Sequence, residues 1–240
     1  MTRSPATTPR IPVRAVFLDA GGVIVLPHRE LVAGALHRIG IEIDPAAVPL
    51  AHYRALRDFD RAGASNPIYR RAFCAQLGVA TERTADALHA LAELEDRRRS
   101  GEVMWSEPTL GALATIAALR RRGLPVVIVT NSDGHAEENL RDCGIADDVS
   151  VIDSKVVGSD KPDVRIFEAA LHRAGAGIRA TDVVHVGDTL SADVAGARAA
   201  GITPIHFDPL RACRTRAHRH VRSLPGIWGH ISPAPIWKKR

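Results

Sequence analysis

The sequence predicts an α/β fold: a doubly wound, Rossmann-like parallel sheet interrupted by an inserted helical domain. Three observations carry this. Short apolar, β-branched runs recur at Val13–Leu18, Val126–Val129, Val149–Ile152, Val183–Val186 and Ile202–His206, each about the length of a buried parallel strand. Helical patterns rich in Ala, Leu and Arg lie between the later runs, at 109–122, 135–142, 163–174 and 190–200, and such alternation builds a parallel sheet. Between the first and second runs, by contrast, more than a hundred residues intervene. A crossover needs only about a dozen residues, commonly a helix.

Taken in order, residues 1–12 (MTRSPATTPRIP) have no apolar stretch and read as a loose arm. Residues 13–27 hold the first strand and the turn after it. Residues 28–104 carry helical patterns at 31–39, 46–60, 66–77 and 82–98 with no strand signal, and form the insertion. Residues 105–225 complete the sheet, and 226–240 form a tail with two of the three tryptophans set between prolines. Exposed tryptophan is unusual, so the tail is expected to pack on its own body or on a second subunit. A homodimer would use this tail or the insertion.

The formal charge of +5 conceals an uneven distribution. Residues 1–14 and 211–240 contain 11 of the 32 basic residues and no acid, leaving 21 basic against 27 acidic residues between 15 and 210. A nucleic-acid role for the body of the fold is not supported. The Arg-rich RACRTRAHRHVRSL reads as a solvated face around a last edge strand. No apolar run approaches the roughly 20 residues of a membrane span. The three cysteines, Cys74, Cys143 and Cys213, are scattered and outside any metal-binding spacing. They imply a reducing, cytoplasmic setting.

The informative polar residues stand where the strands end. Asp19 follows VFL, Thr130-Asn131-Ser132 follows VVIV, and Asp188 follows VVHVG with Asp193 five residues on. Lys161, in VGSDKPD, precedes the helix at 163–174. Ligands of open α/β sheets bind outside the carboxyl ends of the strands, so carboxylates, a hydroxyl and an ammonium are expected on one rim.

In this order, VFLDAGGVI, VVIVTNS, VGSDKPDVRIFEAAL and VVHVGDTLSADVAGARAAGI resemble the four signatures of the haloacid dehalogenase superfamily of phosphatases and dehalogenases. The insertion is similar to the helical cap many members carry. The resemblance implies Asp19 as nucleophile, Thr130 and Lys161 as phosphoryl-oxygen ligands beside Asn131, and Mg²⁺ held by Asp19, the Gly21 carbonyl and Asp188, with Asp193 in support. The implied substrate is a small phosphorylated metabolite. The chemistry is coherent in itself. A carboxylate attacking phosphorus splits one hard displacement into two easier ones, and the remaining catalysis is placement and electrostatics.

One position departs from the pattern. Most phosphatases of this family place a second aspartate, the general acid, two residues after the nucleophile; here that position is Gly21. Three readings follow: a phosphatase that acts on good leaving groups or borrows a proton from His28 or His135; a metal-independent dehalogenase, whose halide leaves unprotonated; or a relative that binds a phosphorylated ligand without turnover. Candidates to face the substrate from the insertion are Tyr53, Arg54, Asn66, Tyr69 and Trp105.

Overall fold

The computed structural model describes residues 9–62, 66–97, 101–145 and 147–234, with Asn66 described in its backbone alone. The chain opens with two strands, β1 (Ile11–Val13) and β2 (Ala15–Leu18), where one run was expected. β1 pairs in parallel with the last strand, β10 (Ile231–Pro233). Ile11 and Pro12 are thus strand residues, not a loose arm: the Ile11 N–H donates to the His230 carbonyl, and Ile231 is buried. The tail packs on its own body through buried Ile227 and Ile231, and the Arg122 guanidinium lies 4.4 Å from the Trp228 ring centre. Trp237 lies outside the described residues.

After the turn at Gly21 and Gly22 the chain forms β3 (Val25–Pro27) and leaves the sheet. Four helices follow, α1 (Arg29–His37), α2 (Val48–Arg61), α3 (Asn66–Gln76) and α4 (Thr84–Asp96). They enclose a core of their own from Val32, Leu36, Val48, Phe73, Leu91 and Leu94. The chain returns through β4 (Trp105–Pro108), antiparallel to β3. An ion pair between Arg29 and Glu107 fastens this neck. Trp105 packs against both the helical core and the core beneath the sheet.

The remainder alternates: α5 (Ala112–Arg121), β5 (Val126–Thr130), α6 (Ala136–Asp142), β6 (Ser150–Asp153), the short α7 (Ser154–Val157) and α8 (Val164–Ala174). Then come β7 (Val183–Gly187), a π-turn at Leu190–Val194, α9 (Ala195–Ala199), β8 (Thr203–Phe207) and β9 (Arg219–Val221). The main sheet has the order β6-β5-β2-β7-β8-β9, all parallel. Alternation along each strand feeds two cores. Val16, Leu18, Ile128 and Val186 pack on one face, and Ala15, Phe17, Val129 and Val183 against α8 and α9 on the other. No described helix is long and apolar enough to cross a membrane.

Candidate active site

β2 lies between β5 and β7, so the strand order reverses beside it and a crevice opens at its carboxyl end. Asp19 stands there, its N–H donating to the Val186 carbonyl at 2.8 Å. The buried Lys161 ammonium donates to Asp19 Oδ1 at 2.6 Å and to Asp193 Oδ1 at 2.7 Å. Asp193 is held from its other sides. His185 Nε2 lies 2.8 Å from Oδ1, and Oδ2 accepts from the Thr189 hydroxyl at 2.5 Å and N–H at 3.1 Å. The π-turn supplies this geometry by carrying Asp193 back over β7. Gly187 admits it, since a Cβ there would stand 2.1 Å from Asp193 Cγ.

Thr130 ends β5, buried and in register with Asp153 of β6. The Asp153 carboxylate accepts the N–H groups of Gly134, Ala136 and Lys155, ordering the turn that follows Thr130. Asn131, next in the chain, reaches the lysine loop. Its Oδ1 accepts the Lys161 N–H at 2.7 Å and its Nδ2 donates to the Lys161 carbonyl at 3.0 Å. The side-chain amide thus holds the backbone of Lys161 in place.

Charge at this rim does not balance. Three buried carboxylates, Asp19, Asp188 and Asp193, approach within 4.8 Å of one another through one oxygen each, against a single ammonium. Burial, reinforced by Asp193 and Asp188, pushes Asp19 up to about 7 despite Lys161. Burial and Asp193 raise Asp188 well above the carboxylate range. Burial acts upward on Asp193 too, but Lys161 and His185 outweigh it and hold that carboxyl far below the ordinary value. Asp19 and Asp193 also outweigh the effect of burial on Lys161 and keep it protonated. A hard, oxygen-rich, over-negative pocket of this kind fits a divalent cation such as Mg²⁺.

Beneath the helices the surroundings are neutral and aromatic. The Trp105 ring lies against Gly21: a Cβ built on that glycine would stand 3.3 Å from Trp105 Cζ3 and 3.7 Å from Cε3. A side chain at this position would need the indole to give by a few tenths of an ångström. Gly22 has φ +75, and a Cβ there would collide with Asp188 Oδ2 and His52 Nε2. Over it stands neutral His52, its Nε2 3.3 Å from Asp188 Oδ2 and its Nδ1 2.8 Å from the Tyr69 hydroxyl. Burial lowers His52 to about 3. The rings of Tyr53, Tyr69 and Trp105 meet it edge-on, and the Tyr53 hydroxyl donates to the Gly22 carbonyl at 2.8 Å.

His52 escaped sequence reasoning, although one signal existed. It is the lone polar residue on the face of α2 that buries Val48, Ala51 and Ala55. The two histidines expected to donate a proton stand at the amino ends of α1 and α6. His28 caps α1, accepting the Leu31 N–H at 3.5 Å, and half-exposed His135 lies 3.7 Å from Glu138. Tyr53, Tyr69 and Trp105 do converge on the site, whereas Arg54 is exposed and the Asn66 side chain lies outside the described residues. The helices are latched to the sheet by Asp60, whose carboxylate accepts the N–H groups of Leu190 and Ser191 and the Ser191 hydroxyl. A cavity of 160 Å³ beside this latch is lined by Tyr53, Arg57, Asp60, Arg61 and Asp188. A larger one, 590 Å³, opens by Pro125 and Val126 at the amino end of β5 and contains none of these groups.

A parallel sheet whose switch point gathers a carboxylate and a lysine places the chain among doubly wound α/β proteins with a charged ligand crevice. The family model "haloacid dehalogenase-like hydrolase" matches residues 13–201, and the chain belongs to that family. It is 28% identical over 241 residues to haloacid dehalogenase-like hydrolase domain-containing protein 3 of Mus musculus, covering 94% of each chain. To a phosphoserine phosphatase of Thermus thermophilus it is 36% identical over 135 residues, 55% of this chain and half the length of that protein. Among solved structures, a HAD-hydrolase of Bacillus subtilis with bound magnesium superimposes with a TM-score of 0.65 at 20% identity, over 90% of this chain and 97% of the other.

Proposed function

We propose that this hydrolase is a Mg²⁺-dependent phosphatase for a small phosphorylated metabolite, working through an aspartyl phosphate on Asp19 and restricted to good leaving groups. The observation that carries the reading is the convergence of three buried carboxylates and Lys161 on one rim. Residues 28–104 serve as the cap that closes over the substrate, with the catalytic core in 13–27 and 105–225.

Asp19 attacks phosphorus through its carboxylate, the bond to the leaving oxygen breaks, and water then cleaves the acyl phosphate to inorganic phosphate. Lys161, steadied by Asn131 and Asp193, and the Thr130 hydroxyl hold the phosphoryl oxygens. A bound Mg²⁺ would be held by Asp19, the Gly21 carbonyl and Asp188, with Asp193 in support, and would neutralise phosphoryl charge. No side chain stands at Gly21 to protonate the departing group, and burial keeps His52 neutral, without an imidazolium proton to give. A leaving group that departs as an anion meets that limit.

The phosphoserine phosphatase relative also favours phosphate over halide. The absence of an acid suits a dehalogenase equally, because halide leaves unprotonated. Phosphate release from acyl and aryl phosphates, with and without Mg²⁺, tests the reading beside chloride release from 2-haloacids under chelation. Mg²⁺-dependent phosphate release that disappears in Asp19→Asn supports the phosphatase. Metal-independent halide release overturns it, and ligand binding without either product makes the chain a binding protein.

A further inference from the structure

We infer a second metal site, distinct from the carboxylate rim, in which His206, Cys213, His218 and His220 bind Zn²⁺ as a structural ion. It lies in the last part of the chain, beyond the residues the family model matches. The local fold explains how four residues scattered in sequence meet. His206 and His220 are partners on the neighbouring parallel strands β8 and β9, so their side chains share a face of the sheet. His218, two residues before His220, continues that face. Between them the chain makes an irregular loop, whose turn is set by buried Asp208. Its carboxylate accepts the N–H groups of Ala212 and Cys213 at 2.9 Å each and thereby presents the thiol.

One ligand atom from each of the four residues lies within 4.8 Å of the other three. Cys213 Sγ stands 3.7 Å from His218 Nε2. Tetrahedral zinc, with Zn–N about 2.0 Å and Zn–S about 2.3 Å, separates a nitrogen and a sulfur ligand by about 3.5 Å. The lone pairs are also set for it. His206 Nε2–H donates to the Asp188 carbonyl at 3.2 Å, which fixes the tautomer and leaves Nδ1 as an acceptor. His206 Nδ1 and His220 Nε2 are both buried with no hydrogen-bond partner among the described residues. Buried imidazole nitrogens are ordinarily satisfied; a cation supplies the missing partner. Three imidazoles and a thiolate select zinc over Mg²⁺, and binding releases the thiol proton. The ion would pin the Arg-rich loop 209–217 to the sheet.

Co²⁺ and Zn²⁺ titrations of the full chain test this. Expected are about one zinc per chain retained through gel filtration, binding tighter than about 100 nM, and a thiolate-to-cobalt charge-transfer band with the visible spectrum of tetrahedral Co²⁺. Cys213→Ser abolishes the charge-transfer band and His218→Ala weakens zinc binding at least ~100-fold. Asp19→Asn retains both signals, which separates this site from the carboxylates. Zinc also slows tryptic cleavage after Arg211, Arg214 and Arg216 in wild type. Absence of a tetrahedral thiolate spectrum in wild type, or its persistence in Cys213→Ser, overturns the inference. If a variant fails to fold, the wild-type spectrum and its protection from trypsin decide.

Discussion

On the sheet side of Asp19, charge meets charge: Lys161 bridges two aspartates, and His185 and Thr189 fill the remaining acceptor positions of Asp193. On the helical side, Trp105 lies against Gly21, and neutral His52 sits among three aromatic rings. The first half can hold and attack a phosphoryl group. The second offers burial and shape, with no carboxyl group at Gly21 and a neutral imidazole at His52. On the proposed reading, phosphoryl positioning falls to the sheet side alone, and the helical side supplies no group for leaving-group protonation.

The comparison breaks most severely at the charged half. Asp19→Asn should reduce turnover by roughly 10⁴–10⁶-fold in phosphate-release assays, since nothing else on the rim replaces the nucleophile. Lys161→Met should also abolish turnover and cost about 3–5 kcal/mol in urea unfolding, because it leaves Asp19 and Asp193 buried together without their cation. The pH dependence follows from Asp19, which titrates at about 7 in the folded chain against an ordinary 3.8. The folded state binds the extra proton between those values. Its contribution to stability is therefore full below pH 3.8 and lost as the pH rises through 7. With divalent ions chelated, Tm should fall over that window, and the slope should be shallower in Asp19→Asn.

The neutral half is sharpened by restoring what it lacks. Gly21→Asp alone should destabilise by about 1–3 kcal/mol, because the new side chain presses on the indole, and should gain no activity on alkyl phosphates. Combined with Trp105→Ala, it should raise kcat/KM for those esters by about 10²-fold, the lower end of general-acid catalysis. His52→Ala should weaken activation by Mg²⁺ about tenfold through the loss of Asp188's partner, read from the metal dependence of turnover. Smallest of all, Asp60→Ala should cost about 1 kcal/mol by uncapping the backbone at Leu190 and Ser191.

The two halves also differ in how legibly they are written in the chain. Asp19, Thr130, Asp188 and Lys161 interrupt or follow apolar runs, and parallel strands must deliver such residues to one end of a sheet. The neutral half depends on how four helices pack. Trp105 reaches Gly21 only because β4 returns antiparallel to β3, and no local pattern encodes that approach. The Asn131 amide reaches the backbone of a residue 30 positions away, a contact that no local pattern encodes. Cys213 gave no metal spacing because its neighbours come from two strands and a loop. Even β1 became visible only through its partner β10, at the far end of the sequence.

The dependence of log kcat/KM on leaving-group pKa, measured with Mg²⁺ on acyl, aryl and alkyl phosphates, tests the separation of these halves most directly. A steep negative slope, flattened in the Gly21→Asp, Trp105→Ala double variant, is the result predicted here. A flat profile in the wild-type enzyme would contradict it, since the helical half would then supply the proton after all.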